Sequence, residues 1–211
     1  MGNAMTEQDQ PSWTAFDGTQ RILSGALTDV IRAAKEVIDS GTADAVMVLD
    51  DTDCQRVEID FRGTADDVLK RLPPMPATNK IDGPRGRGRP KLGVVAREVT
   101  LLPRHWDWLN RQPGGASVAL RKLVDEARHT HRFRDRVRRS QDAVYRFMSI
   151  MAGDMKGFEE ASRALFARNH VRFDAITGSW PIDIRDHAQK LAAGAFAKET
   201  DDPVANDRNS V

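Results

Sequence analysis

The sequence predicts an α+β protein: a small N-terminal α/β unit, a flexible basic linker, a strand-helix-helix central unit and C-terminal helices. Three observations carry that expectation. Apolar residues alternate or recur at helical spacing over 12–72, proline, glycine and arginine crowd 73–93, and helical spacing prevails beyond 103. The expected divisions are a disordered 1–11, an acidic α/β domain over 12–72, the linker over 73–93, the central unit over 94–129, a helical region over 130–198 whose first part is basic, and a disordered tail over 199–211.

Within 12–72, residues 14–24 read as a strand pair around Asp17-Gly18. Val30, Ala33, Ala34, Val37 and Ile38 follow the i, i+3, i+4, i+7, i+8 spacing of one helix face over 29–40, and Gly41 supplies a C-terminal stop. Residues 45–49 form a short apolar run. Val57, Ile59 and Phe61 then alternate with Glu58, Asp60 and Arg62, the period of a strand buried on one face, with Asp50-Asp51-Thr52-Asp53 as the hairpin turn between them. That turn brings several carboxylates together, yet it lacks the glycine and distal glutamate with which an EF-hand loop wraps calcium, so solvated turn chemistry is expected. Thr64, with Asp67 three positions on, is placed to cap a helix that ends before Pro73-Pro74.

The formal net charge is only +1 over 211 residues, which excludes a uniformly basic DNA-coating protein and a strongly acidic disordered one. That total hides a segregation. Residues 83–140 hold 15 basic and 5 acidic side chains, a net of +10, between flanks of −7 and −2. Such asymmetry points to a polyanion as partner. The lone Cys54 cannot form an intramolecular disulfide, the first twenty residues lack the pattern of a signal peptide, and no apolar run is long enough to span a membrane. A cytoplasmic, nucleoid location without membrane contact is therefore expected.

The linker carries the most specific motif. Pro84-Arg85-Gly86-Arg87-Gly88-Arg89-Pro90-Lys91 resembles the AT-hook of high-mobility-group chromatin proteins, its Arg-Gly-Arg-Pro core falling at Arg87, Gly88, Arg89 and Pro90. The physical case stands beside the resemblance. The minor groove is only about 6 Å wide. Gly88 removes bulk from a backbone entering it, and Pro90 biases Arg89 towards an extended conformation. Arg87 and Arg89 can then run in opposite directions along the groove floor, which A·T tracts narrow and make more negative. Arg85 and Lys91 remain for flanking phosphates.

After the linker, 94–102 reads as a strand, 103–112 as a helix opened by Pro103 with Trp106 and Leu109 on its apolar face, and 116–128 as a second helix with Leu120, Leu123, Val124 and Ala127 on one side. Pro113-Gly114-Gly115 is the turn between them. This order resembles the ribbon-helix-helix DNA-binding fold of bacterial repressors and antitoxins, and the resemblance implies a homodimer whose two 94–102 strands pair into a ribbon entering the major groove. Neither strand register suits base reading. One sends Arg97, Val99 and Leu101 to the groove and buries Glu98, whereas the other exposes Glu98 and Thr100. A helix-turn-helix variant that presents 116–128 to DNA is the alternative.

Arg128, Arg132, Arg134, Arg136, Arg138 and Arg139 are balanced locally only by Asp135, while Phe133, Val137, Val144, Met148 and Met151 recur at mostly helical spacing. A long helix with an apolar stripe and a phosphate-contacting basic face is expected. Further helices are marked by Phe158, Ala161, Leu165 and Phe166 and by Trp180-Pro181 followed by Ile184, Ala188 and Leu191, with Met148, Met151 and Met155 as core filler. The five histidines, His105, His129, His131, His170 and His187, show no metal-ligand spacing. No cofactor motif and no set of nucleophile, base and orienting group stands out, so neither a cofactor nor an enzyme is expected.

Across nearly the whole length, the phenylalanine-aspartate-glycine turn near the N-terminus, the GRGRPKLGVVAREVTLLPRHWDWL segment, the following QPGGAS and the FMSIMAGDMKGFEEA region are together similar to an uncharacterised bacterial family, domain of unknown function 2239. That resemblance implies shared architecture and no activity. The expected function is non-enzymatic binding of A·T-rich double-stranded DNA as a regulator or nucleoid-associated protein. Its alternative is a protein-interaction adaptor whose basic centre holds an acidic partner. The acidic N-terminal unit is further expected to dock on the basic centre and compete with DNA.

Overall fold

Successive side chains of a strand point to opposite faces, and the first strand buries both. In the computed structural model, which describes residues 12–72 and 95–198, the order is β1 (Trp13–Asp17), β2 (Gln20–Gly25), α1 (Leu27–Asp39), β3 (Val46–Asp50), α2 (Ala65–Arg71), α3 (Pro103–Asn110), α4 (Gly115–Met151), α5 (Phe158–Phe166), α6 (His170–Thr177) and α7 (Ile182–Phe196). The protein is of the α+β class. The expectations for 1–11, for the linker at 73–93, for Val94 and for 199–211 lie outside the described residues.

The chain divides into two compact units, Met1–Pro73 with Phe133–Val211, and Pro74–Arg132. In the first, β1 lies between β2 and β3 in a three-stranded antiparallel sheet. The hairpin turns at Gly18, whose φ of 55° is the left-handed conformation that a two-residue turn requires. Trp13 and Ala15 face α1 and α2, where Leu27, Val30, Ile31, Ala34, Val48 and Val68 complete one apolar layer. Phe16, on the other face with Leu49 and Cys54, enters a second layer built from α4, α5, α6 and α7. The sheet is thus covered on both sides, and β1 is buried along four of its five residues.

Composition separates an acidic 12–72 from a helical 130–198. The structure joins them, because Phe16 and Leu49 share one core with Val144, Phe147, Met148, Leu165, Phe173 and Ile184. Neither segment carries that core alone. Met151 and Met155 pack against it, as filler does.

Local signals are realised closely. Thr64 Oγ1 accepts from the Asp67 backbone N–H while the Asp67 carboxylate accepts from the Thr64 N–H, a complete capping box, and the Thr64 hydroxyl, which donates to that carboxylate, together with the Thr64 N–H holds the Asp67 carboxyl below its usual range. Gly41 ends α1 with φ 72°. The expected strand at 57–61 does not form. Its only bridge is Leu49 with Arg56, and the Val57 N–H donates to the Val48 carbonyl (2.8 Å) before the chain leaves the sheet. Val57, Ile59 and Phe61 nevertheless pack on the α1 layer, so alternation here records burial without a ladder. The Asp60 carboxyl, held by the Arg62 guanidinium, sits well below the usual carboxylate range.

Two further differences concern helices. The second helix of the central unit and the arginine-rich segment are one helix, the 37-residue α4. The helix α6 had no counterpart in the pattern, since only Phe173 and Thr177 of its residues are buried. Between α4 and α7 the backbones come close at Gly194, where a Cβ would meet Ser140 Oγ at 2.6 Å, and Ser140 Oγ donates to the Leu191 carbonyl at 3.1 Å.

Candidate nucleic-acid interface

A strand needs a partner, and within one chain 95–102 has none. Residues 95–102 carry no regular secondary structure, so the expected strand is absent from the isolated chain. Neither register is realised: Arg97, Glu98 and Thr100 are exposed, Val99 is 54% exposed, and only Leu101 is half-buried. Pro103 opens α3 at its first turn, and α3 buries Leu109 with Trp106 half-covered. Gly114 and Gly115, with φ of 85° and 74°, reverse the chain into α4. The expected apolar face of that helix is mostly open: Leu120 is half-buried, Leu123 and Val124 are exposed, and Ala119 is buried instead.

Arg128 and Arg132 stand one turn apart at the end of this unit, both exposed. In the first unit, Arg134, Arg138 and Arg139 are exposed and Arg136 is half-buried. At about 100° per residue, Arg134 and Arg138 project from one side of α4 and Arg136 and Arg139 from nearly the opposite side. A single basic face is therefore corrected to two. The Arg136 guanidinium lies 5.5 Å from the Phe133 ring centroid, and Arg168, which leads into α6, lies over the same ring at 5.7 Å. Arg139 Nε donates to the Asp135 carbonyl at 3.3 Å. The linker residues Arg85, Arg87, Gly88, Arg89, Pro90 and Lys91 lie outside the described residues.

A second polar constellation, which spacing could not reveal, joins β1, the turn after β3 and α7. The turn is only partly solvated. Asp50 and Asp53 accept from the Thr52 and Gln55 N–H groups, whereas Asp51 points inward. Its Oδ1 accepts from Thr14 Oγ1 (2.7 Å) and its Oδ2 from Ser12 Oγ (3.0 Å) and Lys190 Nζ (3.3 Å). Because the Thr14 hydroxyl proton is committed there, Ser24 is the donor in the 2.8 Å Thr14–Ser24 bond. His187 Nε2 lies 3.6 Å from Asp51 Oδ1. Burial pushes the neighbouring Cys54 thiol up to about 12, with the Asp51 and Asp53 charges adding to the shift, so it is an inert core group. Among the described residues no three His, Cys, Asp or Glu side chains converge as metal ligands do, and no helix is long and apolar enough to cross a membrane.

Fold and surface together define an α+β protein whose longest helix carries exposed arginines in both compact units. Residues 12–192 match the family described as an uncharacterized protein conserved in bacteria, DUF2239, and the chain belongs to that family. No curated protein and no solved structure matches the chain.

Proposed function

We propose that the protein is a non-enzymatic DNA-binding protein, a regulator or nucleoid-associated factor, that places Arg87 and Arg89 in A·T-rich minor groove and neutralises phosphates with Arg85, Lys91 and arginines of α4. The observation that carries this reading is the +10 net charge of 83–140, with Arg128, Arg132, Arg134 and Arg138 exposed on a helix rather than consumed in the core. Fluorescence anisotropy with A·T-rich and G·C-rich duplexes tests it. Replacing both Arg87 and Arg89 with Ala is expected to erase the A·T preference, leaving weak phosphate-driven binding. An unchanged preference removes the hook, and indifference to DNA at low salt favours the adaptor reading.

The second unit also bears on partners. Leu109 and Ala119 are its only buried apolar residues among those described, while Trp108 is 51%, Leu102 49% and Leu123 43% exposed. So few buried side chains do not stabilise a unit of this size alone. A second copy, pairing 94–102 with its own counterpart and covering those side chains, supplies the missing core. Sedimentation is expected to give a dimer for the native chain and a monomer with weakened DNA binding for Leu123→Asp. A native monomer at tens of micromolar would sink this assembly.

A further inference from the structure

His187 is completely buried, the imidazole seated against Phe16 (5.3 Å, 83° between planes) and Phe147 (4.7 Å, 51°), and neither ring nitrogen has a hydrogen-bond partner. Such a seat suits an uncharged ring and penalises a charged one. The anion that favours a charge on it is Asp51, 3.6 Å from Nε2, and that carboxylate is already engaged by Ser12, Thr14 and Lys190. Lys190 on α7 and Arg21 on β2 both oppose a positive charge on the ring. From α4, Arg146 donates to the Asp53 carbonyl of the same turn.

We propose that His187 is an acid-sensitive latch: the neutral ring seats α7 against Phe16 and Phe147, and its protonation releases α7 from the sheet. Burial outweighs the attraction of Asp51 and lowers the pKa of His187 from 6.5 to about 4. As pH falls below 6.5 the released ring therefore takes up a proton that the seated ring refuses. The seated state's advantage is complete above 6.5 and disappears as pH falls towards 4. Between pH 7.5 and 5.0 the opening equilibrium of α7 is expected to rise about thirtyfold.

The other histidine touching α7 is His170, stacked on Phe196 at 4.7 Å, but it is exposed and pairs with Asp174 on its own helix. His105 and His129 are exposed and His131 is half-exposed in the other unit. Hydrogen exchange on the full chain at pH 7.5 and 5.0, corrected for intrinsic rates, tests the latch. Peptides of α7 are expected to lose protection at pH 5.0 relative to those of β1, in the native chain and in His170→Gln, and to become insensitive to pH in His187→Leu. Should His187→Leu fail to fold, an NMR titration of the native His187 ring decides. A ring that titrates at or above 6.5, α7 protection that holds at pH 5.0, or a uniform loss across the whole unit each overturns the latch.

Discussion

Phe147→Ala is expected to destabilise the first unit by about 3–5 kcal/mol, the range for deleting a large aromatic side chain from a packed core. Phe147 is fully buried on α4 and touches Phe16 of β1 at 5.8 Å and His187 of α7 at 4.7 Å. It therefore links the sheet, the long helix and the last helix at one point, and no single neighbour can collapse into its space without leaving another contact. Urea denaturation followed by circular dichroism measures the loss as a lower midpoint at unchanged slope. Phe166→Ala is the control: that ring is 51% exposed, and its removal should cost well under half as much. A similar cost for both would mean that the core is not centred where Phe147 stands. The same connectivity rules out deletion of residues 1–82 as a clean probe of competition between the acidic segment and DNA. That deletion removes Phe16, Leu49 and Cys54 from the core shared with α4 to α7.

Features encoded within a few residues were legible in the sequence. The Gly18 hairpin, the helix α1, the Thr64–Asp67 box and the start of α3 at Pro103 each follow from spacing or from one backbone preference, although α1 buries Leu27 and Ile31 where the spacing points to Ala33, Val37 and Ile38. What escaped depends on contacts between distant segments. The pattern of 57–61 reports which side chains are buried and says nothing of whether a neighbouring strand is within reach, and here the bridging stops at Arg56. Sharing of one core by 12–72 and 133–198 leaves no trace in charge or composition, because Phe16 and Phe147 are as apolar in one domain as in two. Helix α6 has no apolar stripe to find. The candidate interface was half legible: its arginines are evident, and their division over two sides of α4 follows from the two-residue spacing of Arg134, Arg136 and Arg138 once the segment is helical. The placement of Arg168 over Phe133, and the inward turn of Asp51 towards His187, could only come from the fold.

Salt should dominate the affinity for DNA. If about five phosphates are neutralised, the logarithm of affinity falls against log salt with a slope of about −4 to −5, so binding weakens by about 500-fold between 50 and 200 mM salt. Arg85 and Lys91 of the linker supply two of those contacts in this reading, and the exposed Arg134 and Arg138 supply two more. A duplex lying along one side of α4 cannot also engage the other, so Arg134 and Arg138 act as a pair distinct from Arg136 and Arg139. Arg136 is half-buried against Phe133, and its substitution by Ala is expected to lower stability while leaving the slope nearly intact. Replacing Arg134 and Arg138 together with Ala should instead flatten the slope by about 2 without altering the A·T preference, since phosphate contacts add affinity and carry no sequence information. Anisotropy titrations of the three proteins over a salt series separate these effects. A slope near zero in the native chain would mean that its arginines do not neutralise phosphates, and would return the +10 segment to the role of a surface for an acidic protein.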